Sequence, residues 1–417
     1  MSRKFRLQKF SLRTQPLSKK MIRFCLWGLL SCCLFSIVTA DSIQAIAFSR
    51  NSTTVEIEII NDTELTQNRP VIPATMALNQ IDEFPLGIYD RIDKPEHLDS
   101  IKAIGFNIVM PYTEPYAKKD YQRIKNYLDV ANKKGLKIVL ELFRDSIKQQ
   151  DTTELTNFVR TFKNHPAVLG WYSYDEPVYN KISPEILAST YNIVKAEDPN
   201  HPVFLDFSGT RSHNLVNYRG SFDVVQVNHY PITKGGNALE DLSSFKSNLD
   251  TLEKLTLNIP YWSVVQSFED KKKWRLPNFQ EEKYLIYSSL LNGADGLFFY
   301  SYHRAPEKWR QSVLKPSVGG LKKYLPAIDL GALNIEVNSS SDDLQTALYR
   351  QPNTNQYVLI AINHSKQEVE AQIKLDSNLK IDSVQEKNSL SLDKANSSFS
   401  DSFAPLKVKV YTLVASN

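Results

Sequence analysis

Two acids stand side by side in the stretch WYSYDEP, Asp175 and Glu176, after an aromatic run and before Pro177. Adjacent carboxyls in an apolar setting cannot both ionise cheaply, so one keeps its proton to higher pH than a free carboxyl does. Such a group can hand a proton to a leaving oxygen. Tyr172 and Tyr174 supply a candidate apolar setting. The bland alternative is an ordinary Asp-Glu turn closed by proline. Where the heptapeptide falls in the chain decides between them.

From Phe84 onward short apolar runs of β type alternate eight times with segments of helical period. The runs are LGIYD (86–90), NIVMPY (107–112), KIVLELF (137–143), VLGWYSYDE (168–176), VFLDFSG (203–209), DVVQVNHY (223–230), YWSVVQSFE (261–269) and GLFFYSYH (296–303). Between them, DYQRIKNYLDVANKKG carries apolar residues at helical spacing with Gly135 as a stop. Ser183 before Pro184 has the order of an N-cap and first helical residue, and Asp151 with Glu154 resembles a capping box. Eight strand–helix units predict a (β/α)8 TIM barrel over residues 83–333. A doubly wound sheet is the rival, but GIYDRIDKPE is not its glycine-rich first turn. Residues 334–417 change to short, often alternating runs, LQTALYR, QYVLIAINHS, VEAQIKL and LKVKVYTLV, which predict a small all-β antiparallel sandwich.

In such a barrel chemistry gathers at the C-terminal strand ends. Those ends hold Asp90, Glu114, Glu141, Asp175, Glu176, Asp206, Asn228, His229, Tyr230, Gln266, Glu269, Tyr300, Tyr302 and His303. Carboxylates, amides and aromatic faces together suit a carbohydrate, a ligand with many hydroxyls and flat apolar faces. The predicted substrate-binding set is Asp90, Glu141, Asp206, Asn228, His229, Tyr230, Trp262, Gln266, Tyr300 and Tyr302. Trp274, in DKKKWR, stands where it could reach over the cleft. His-x-His does not follow the first strand and no glycine-rich phosphate cradle appears, so neither a metal nor another cofactor is expected.

Composition narrows the partners further. The 417 residues are 42% hydrophobic and 23% charged, which is ordinary for a globular chain. The net charge of +4 comes from eight bases in the first 23 residues, so nothing here points to nucleic acid. An uncharged run, Phe24–Ala40, follows and ends in VTA before Asp41. This predicts a signal peptide or N-terminal anchor over residues 1–40 and a polar lead-in over 41–82, in which TTVEIEII reads as a strand. Export is the expectation (secreted, periplasmic or cell-surface), with an uncleaved anchor as the alternative and the sole membrane contact. Cys25, Cys32 and Cys33 all lie in the apolar run, so a cleaved chain would have neither disulfide nor thiolate chemistry.

Over residues 84–417 the sequence resembles the (β/α)8-barrel glycoside hydrolases. The likeness is carried by HPAVLGWYSYDEP, by Tyr89-Asp90 on the first strand, by VNHYP on the sixth, and by an aromatic eighth strand ahead of a β-sandwich. In the retaining barrel clan a glutamate at the end of strand four is the general acid/base, usually preceded by asparagine. The resemblance makes Glu176 that residue, with Asp175 in place of the asparagine. The clan's nucleophile is a glutamate at the end of strand seven, where this chain has Gln266, with Glu269 three residues later. Three readings follow. Glu269 is the nucleophile; or Asp175 orients a substrate N-acetyl group that attacks internally, as in the substrate-assisted hexosaminidases, which resemble this chain in their Asp-Glu pair; or the barrel is a carbohydrate-binding protein that does not cleave.

Overall fold

The computed structural model describes residues 83–113, 119–256, 259–333 and most of 337–415, together with three strands between residues 35 and 61. The basic segment, residues 24–34, residues 62–82 and Glu114 lie outside the described residues. The chain divides into two units, Met1–Ile72 and Pro73–Asn417. In the first, Phe35–Thr39, Ser42–Asn51 and Thr54–Asn61 pair antiparallel in that order. The expected strand TTVEIEII is the last of the three, and it has a partner in Ser42–Asn51 that the polar composition of the segment hid. Among the described residues no helix is long and apolar enough to cross a membrane.

The second unit begins with a closed barrel of eight strands. These are β1 (Leu86–Arg91), β2 (Ile108–Tyr112), β3 (Lys137–Glu141), β4 (Val168–Asp175), β5 (Val203–Ser208), β6 (Val224–Asn228), β7 (Tyr261–Gln266) and β8 (Gly296–Tyr300). They neighbour one another in chain order, all parallel, and β8 pairs back onto β1. Closure excludes the open doubly wound sheet. The outer helices include α1 (His97–Ile104), α2 (Tyr121–Lys133), α3 (Arg144–Lys148), α4 (Thr152–Phe162), α5 (Pro184–Glu197), α6 (Ala238–Leu255) and α7 (Phe279–Leu291). After β5 the chain forms a 3-10 segment instead, Gly209–Tyr218.

The local signals act as their chemistry requires. Asp151 caps α4 by accepting the Glu154 amide at 3.0 Å, worth about 1 kcal/mol. The Glu154 side chain does not complete a box; it takes the Tyr121 hydroxyl at 2.7 Å. Ser183 stands in the N-cap position of α5, yet its hydroxyl makes no capping bond. Gly135 follows α2 with φ 62, the left-handed conformation that ends a helix at least cost in glycine.

Both faces of the barrel strands are buried, one inside the lumen and one beneath the helices. The lumen floor is aromatic. Trp262 stacks on Phe298 at 5.5 Å and meets Phe204 at 4.9 Å, and glycines make the room. A Cβ on Gly87 would come within 2.2 Å of the Phe298 ring, and one on Gly296 within 2.9 Å of the Trp262 ring. Trp262, expected in the site, is therefore a floor residue with no exposure.

The C-terminal region forms two antiparallel sheets of four strands each. Leu348, Leu359, Ile373, Phe399 and Leu413 fill the space between them. The central strand Gln356–Asn363 also turns Val358, Ile360 and Ile362 toward the barrel core, which explains its unbroken apolar run. Polar ties fix the contact with α7: Tyr284 shares a hydrogen bond with His364 Nδ1 at 2.8 Å, and Lys283 donates to the Val408 carbonyl at 3.1 Å. Burial holds the His364 imidazole down, at a pKa of about 4.

The floor yields a paired test. Gly87→Ala should destabilise the protein by about 1–3 kcal/mol through overpacking, seen as a lower urea midpoint at unchanged slope. Gly320→Ala, on a helix with nothing near its added methyl, should stabilise by about 0.5–1 kcal/mol.

Candidate active site

β4 delivers the acid pair through a fault in its own alternation. Its register against β5 slips between Tyr172 and Tyr174, a bulge that adds one residue. Tyr172 packs in the lumen and Tyr174 in the outer core, and Asp175 comes level with Asp206 of β5. Glu176 follows with φ 44, left-handed and uncommon for a side chain of its size. The surroundings pin it there. Its amide donates to the Asp206 carbonyl at 3.1 Å, and its own carbonyl accepts the Asn180 amide at 3.0 Å. The Asn180 side chain donates to the Asp175 carbonyl at 2.7 Å.

Four carboxyls meet at this mouth, each in a different setting. Glu141 is fully buried and accepts from the Thr113 amide at 2.7 Å and from Arg144 at 2.7 Å. Burial raises its pKa, with Arg144 and Thr113 offsetting part. Asp175 takes the Tyr172 hydroxyl at 3.2 Å and lies 3.6 Å from the Arg144 guanidinium. Asp206 is buried, with one oxygen accepting from Asn228 and Oδ2 without a partner among the described residues. Burial, then the charges of Asp175 and Glu176, push its pKa well above the carboxylate range. Glu176 is half-buried; desolvation and then Asp175 raise its pKa, while Asn228 and Arg211 offset part of the rise. Beneath them lie Tyr89, Tyr112, Tyr172, Tyr230 and Tyr300, with Tyr230 stacked on Tyr300 at 5.6 Å. A glutamate with a raised pKa above a tier of aromatic faces and amides is a setting for acid catalysis on a polyhydroxylated ligand.

Gln266 occupies the end of β7 and is fully engaged. Its Nε2 donates to the carbonyls of Ile232 and Arg275, both at 2.9 Å, and its Oε1 accepts the Ile232 amide at 2.9 Å. The side chain thus stitches the loop after β6 to the loop after β7. A carboxylate could not donate either of those bonds. Glu269, the alternative nucleophile, is exposed on the second of these loops.

The other expected residues sort by which face of the strand they occupy. Glu141, Asp206, Asn228, Tyr230, Gln266 and Tyr300 belong to the mouth. Asp90 does not: Tyr89 takes the lumen, and Asp90 turns outward to His97 of α1 at 2.9 Å. Tyr302 is buried outside the barrel, against His97 at 4.9 Å and beneath Arg310 at 4.2 Å. His229 likewise faces away, packed on Gly209 and edge-on to Phe245 at 5.5 Å; desolvation holds it at a pKa of about 4. Sequence reasoning missed Arg144, Arg211 and Gln226. Arg144 follows Glu141 by three residues, a spacing that could have flagged the pair. Gln226 accepts the Tyr89 hydroxyl at 2.7 Å, and its parity with Asn228 was the available signal. Among the described residues no group of three His, Cys, Asp or Glu side chains is arranged to hold a metal ion.

No protein-family model matches the chain, and no curated protein matches it. Solved structures match the fold. A family 5 glycoside hydrolase from Bacteroides vulgatus ATCC 8482 is 14% identical at a TM-score of 0.52, covering 79% of this chain and 89% of its own. A family 27 β-L-arabinopyranosidase from Geobacillus stearothermophilus is 10% identical at a TM-score of 0.53, covering 81% and 98%. An Anoxybacillus α-amylase has the same identity, score and coverage. At this distance the likeness establishes the fold: a (β/α)8 barrel as in the glycoside hydrolases, followed by a β-sandwich.

The Gln266 stitch is testable. Gln266→Glu should lower stability by about 1–3 kcal/mol, since two buried carbonyls lose their donors and face a carboxylate. Activity gained by this variant on activated glycosides would show that the position is a vacant nucleophile site instead.

Proposed function

We propose that the protein is a glycoside hydrolase in which Glu176 is the general acid/base and Asp175 directs an N-acetyl group of the substrate. The observation that carries the reading is the half-buried Glu176, its pKa raised by burial and by Asp175, at the end of β4. Its proton goes to the leaving glycosidic oxygen as that bond breaks. The 2-acetamido carbonyl oxygen bonds to the anomeric carbon, and Asp175 accepts the hydrogen bond of the amide N–H. Water then opens the cyclic intermediate, giving a proton back to the Glu176 carboxylate. Asp206 and Asn228 are positioned for substrate hydroxyls. The stitched Gln266 and the exposed Glu269 favour this route over a protein nucleophile on strand seven. A carbohydrate-binding barrel without catalysis is the second reading, favoured by that same amide where the clan has its nucleophile.

Three substitutions separate these readings on 2-acetamido and 2-hydroxy aryl glycosides. Glu176→Gln should cut turnover of poor-leaving-group substrates roughly 10²–10⁴-fold and spare activated ones in the first step. Asp175→Asn should cripple 2-acetamido substrates only, and Glu269→Gln should leave them near wild type. If Glu269→Gln proves the damaging change, the internal nucleophile is wrong. Saturable binding without turnover on every sugar would favour the second reading.

The pH profile supplies an independent check. An acid must be protonated to act, so activity should fall as pH rises through the raised Glu176 pKa. Asp175→Asn removes one cause of that rise. The alkaline limb of its residual activity should therefore move to lower pH; an unmoved limb would assign the limb to another group.

A further inference from the structure

Charge divides the barrel mouth. Glu141, Asp175, Glu176 and Asp206 stand on β3 to β5 and the residue after β4, whereas β6, β7 and β8 end in Asn228, Gln266 and Tyr300. Above this second half lies Arg304. Its guanidinium covers the ring of Phe268 at 4.6 Å and stands 5.8 Å from that of Tyr300. Phe268 beneath it is 1% exposed. Among the described residues the Arg304 side chain has one long hydrogen bond, 3.5 Å to the Tyr300 hydroxyl, and no carboxylate within 4.0 Å. Asp270 is close enough to feel its charge, but one oxygen of Asp270 already takes the amides of Lys272, Lys273 and Trp274.

Lys273 stands on the loop after β7 that Asp270 folds. Its ammonium sits 4.8 Å over the Trp274 ring, and the Trp274 indole is tied to the Tyr230 carbonyl at 3.1 Å. The bridge from Thr233 to Trp274, with the Lys234 amide on the Lys273 carbonyl at 2.7 Å, holds the two loops together. Both cations therefore lie against fixed aromatic faces. A guanidinium stacked by its face keeps its N–H edge for an acceptor, and a two-oxygen anion matches that fork best.

We propose that Arg304 and Lys273 form a subsite for an acidic group carried by the saccharide, a carboxylate or a sulfate ester. The basic half attracts that group, so the substrate enters with its scissile oxygen toward Glu176. The inference rests on the glycosidase reading of the same mouth.

Titration calorimetry on the full chain carrying Glu176→Gln tests it without turnover. The ligands are an oligosaccharide containing a uronic acid, its carboxyl-reduced neutral counterpart, and a counterpart sulfated at the same position. An acidic ligand should bind roughly 10- to 100-fold more tightly than the neutral one, the worth of a charged hydrogen-bonded pair. The preference should shrink with salt and collapse on adding Arg304→Gln. Whichever acidic ligand gains more identifies the group. Lys273→Gln, on an exposed side chain, should narrow the preference and keeps the test open should Arg304→Gln fail to fold. Equal binding of acidic and neutral ligands, or a preference that survives both substitutions, overturns the subsite. An Arg304-dependent preference with no turnover of any ligand by the unsubstituted chain would keep the subsite and remove the hydrolase reading. Turnover of neutral glycosides without acidic preference would do the reverse.

Discussion

Four carboxyls at one barrel mouth are the constraint to which the rest of the site answers. Two unit negative charges 4 Å apart repel by about 4 kcal/mol at a surface-like dielectric, and burial adds to that. The protein answers each acid differently. Glu141 is neutralised by Arg144 and the Thr113 amide, and the same guanidinium extends to Asp175. Asp206 and Glu176 answer by pKa values raised through burial and their neighbours' charges, with Asn228 offsetting part of each rise. Arg144 is thus the cation shared by Glu141 and Asp175, although it lies three residues beyond the strand end that sequence patterns direct attention to.

The opposite half of the mouth is built on neutral groups because its framework needs donors as much as acceptors. Gln266 joins two loops by donating twice and accepting once, and Asp270 gathers three amides to fold the second loop tightly. Behind them Phe268 meets Tyr230 and Tyr300 edge to face at 5.0 and 5.1 Å, and Trp274 meets Tyr230 likewise at 6.1 Å. A carboxylate at residue 266 would trade this rigidity for a nucleophile. Gln266, a puzzle in the sequence, is in the structure the tie between two loops.

Fold class was legible because eight apolar runs alternating with helical periods leave few architectures, and the heptapeptide was legible because strand four ends there. Facing was not. Barrel strands are buried on both sides, so LGIYD carries no polar alternation to say that Tyr89 looks inward and Asp90 outward. His229 and Tyr302 lie just past the ends of β6 and β8, where strand alternation no longer says which way a side chain faces. Trp262 has the right facing but the wrong level: it pairs with Gly296 at the start of β8, and depth along the barrel depends on registers between strands that a single sequence does not display. The sandwich strand Gln356–Asn363 shows the converse, since it was legible as a sandwich strand but not as one whose second face packs on the barrel.

The bulge in β4 ties these observations together. Without it, strict alternation would place Tyr172 and Tyr174 on one face and leave Asp175 on the other, beneath the helices and away from the mouth. The inserted residue returns Asp175 to the lumen and carries the chain into the left-handed turn at Glu176. That conformation costs on the order of 1–3 kcal/mol for a residue with a side chain, and it persists only where its surroundings over-determine it. Here they do, through the Asp206 carbonyl and the bonds of Asn180. One irregularity thus aims two consecutive carboxyls at the same mouth, which a regular strand cannot do.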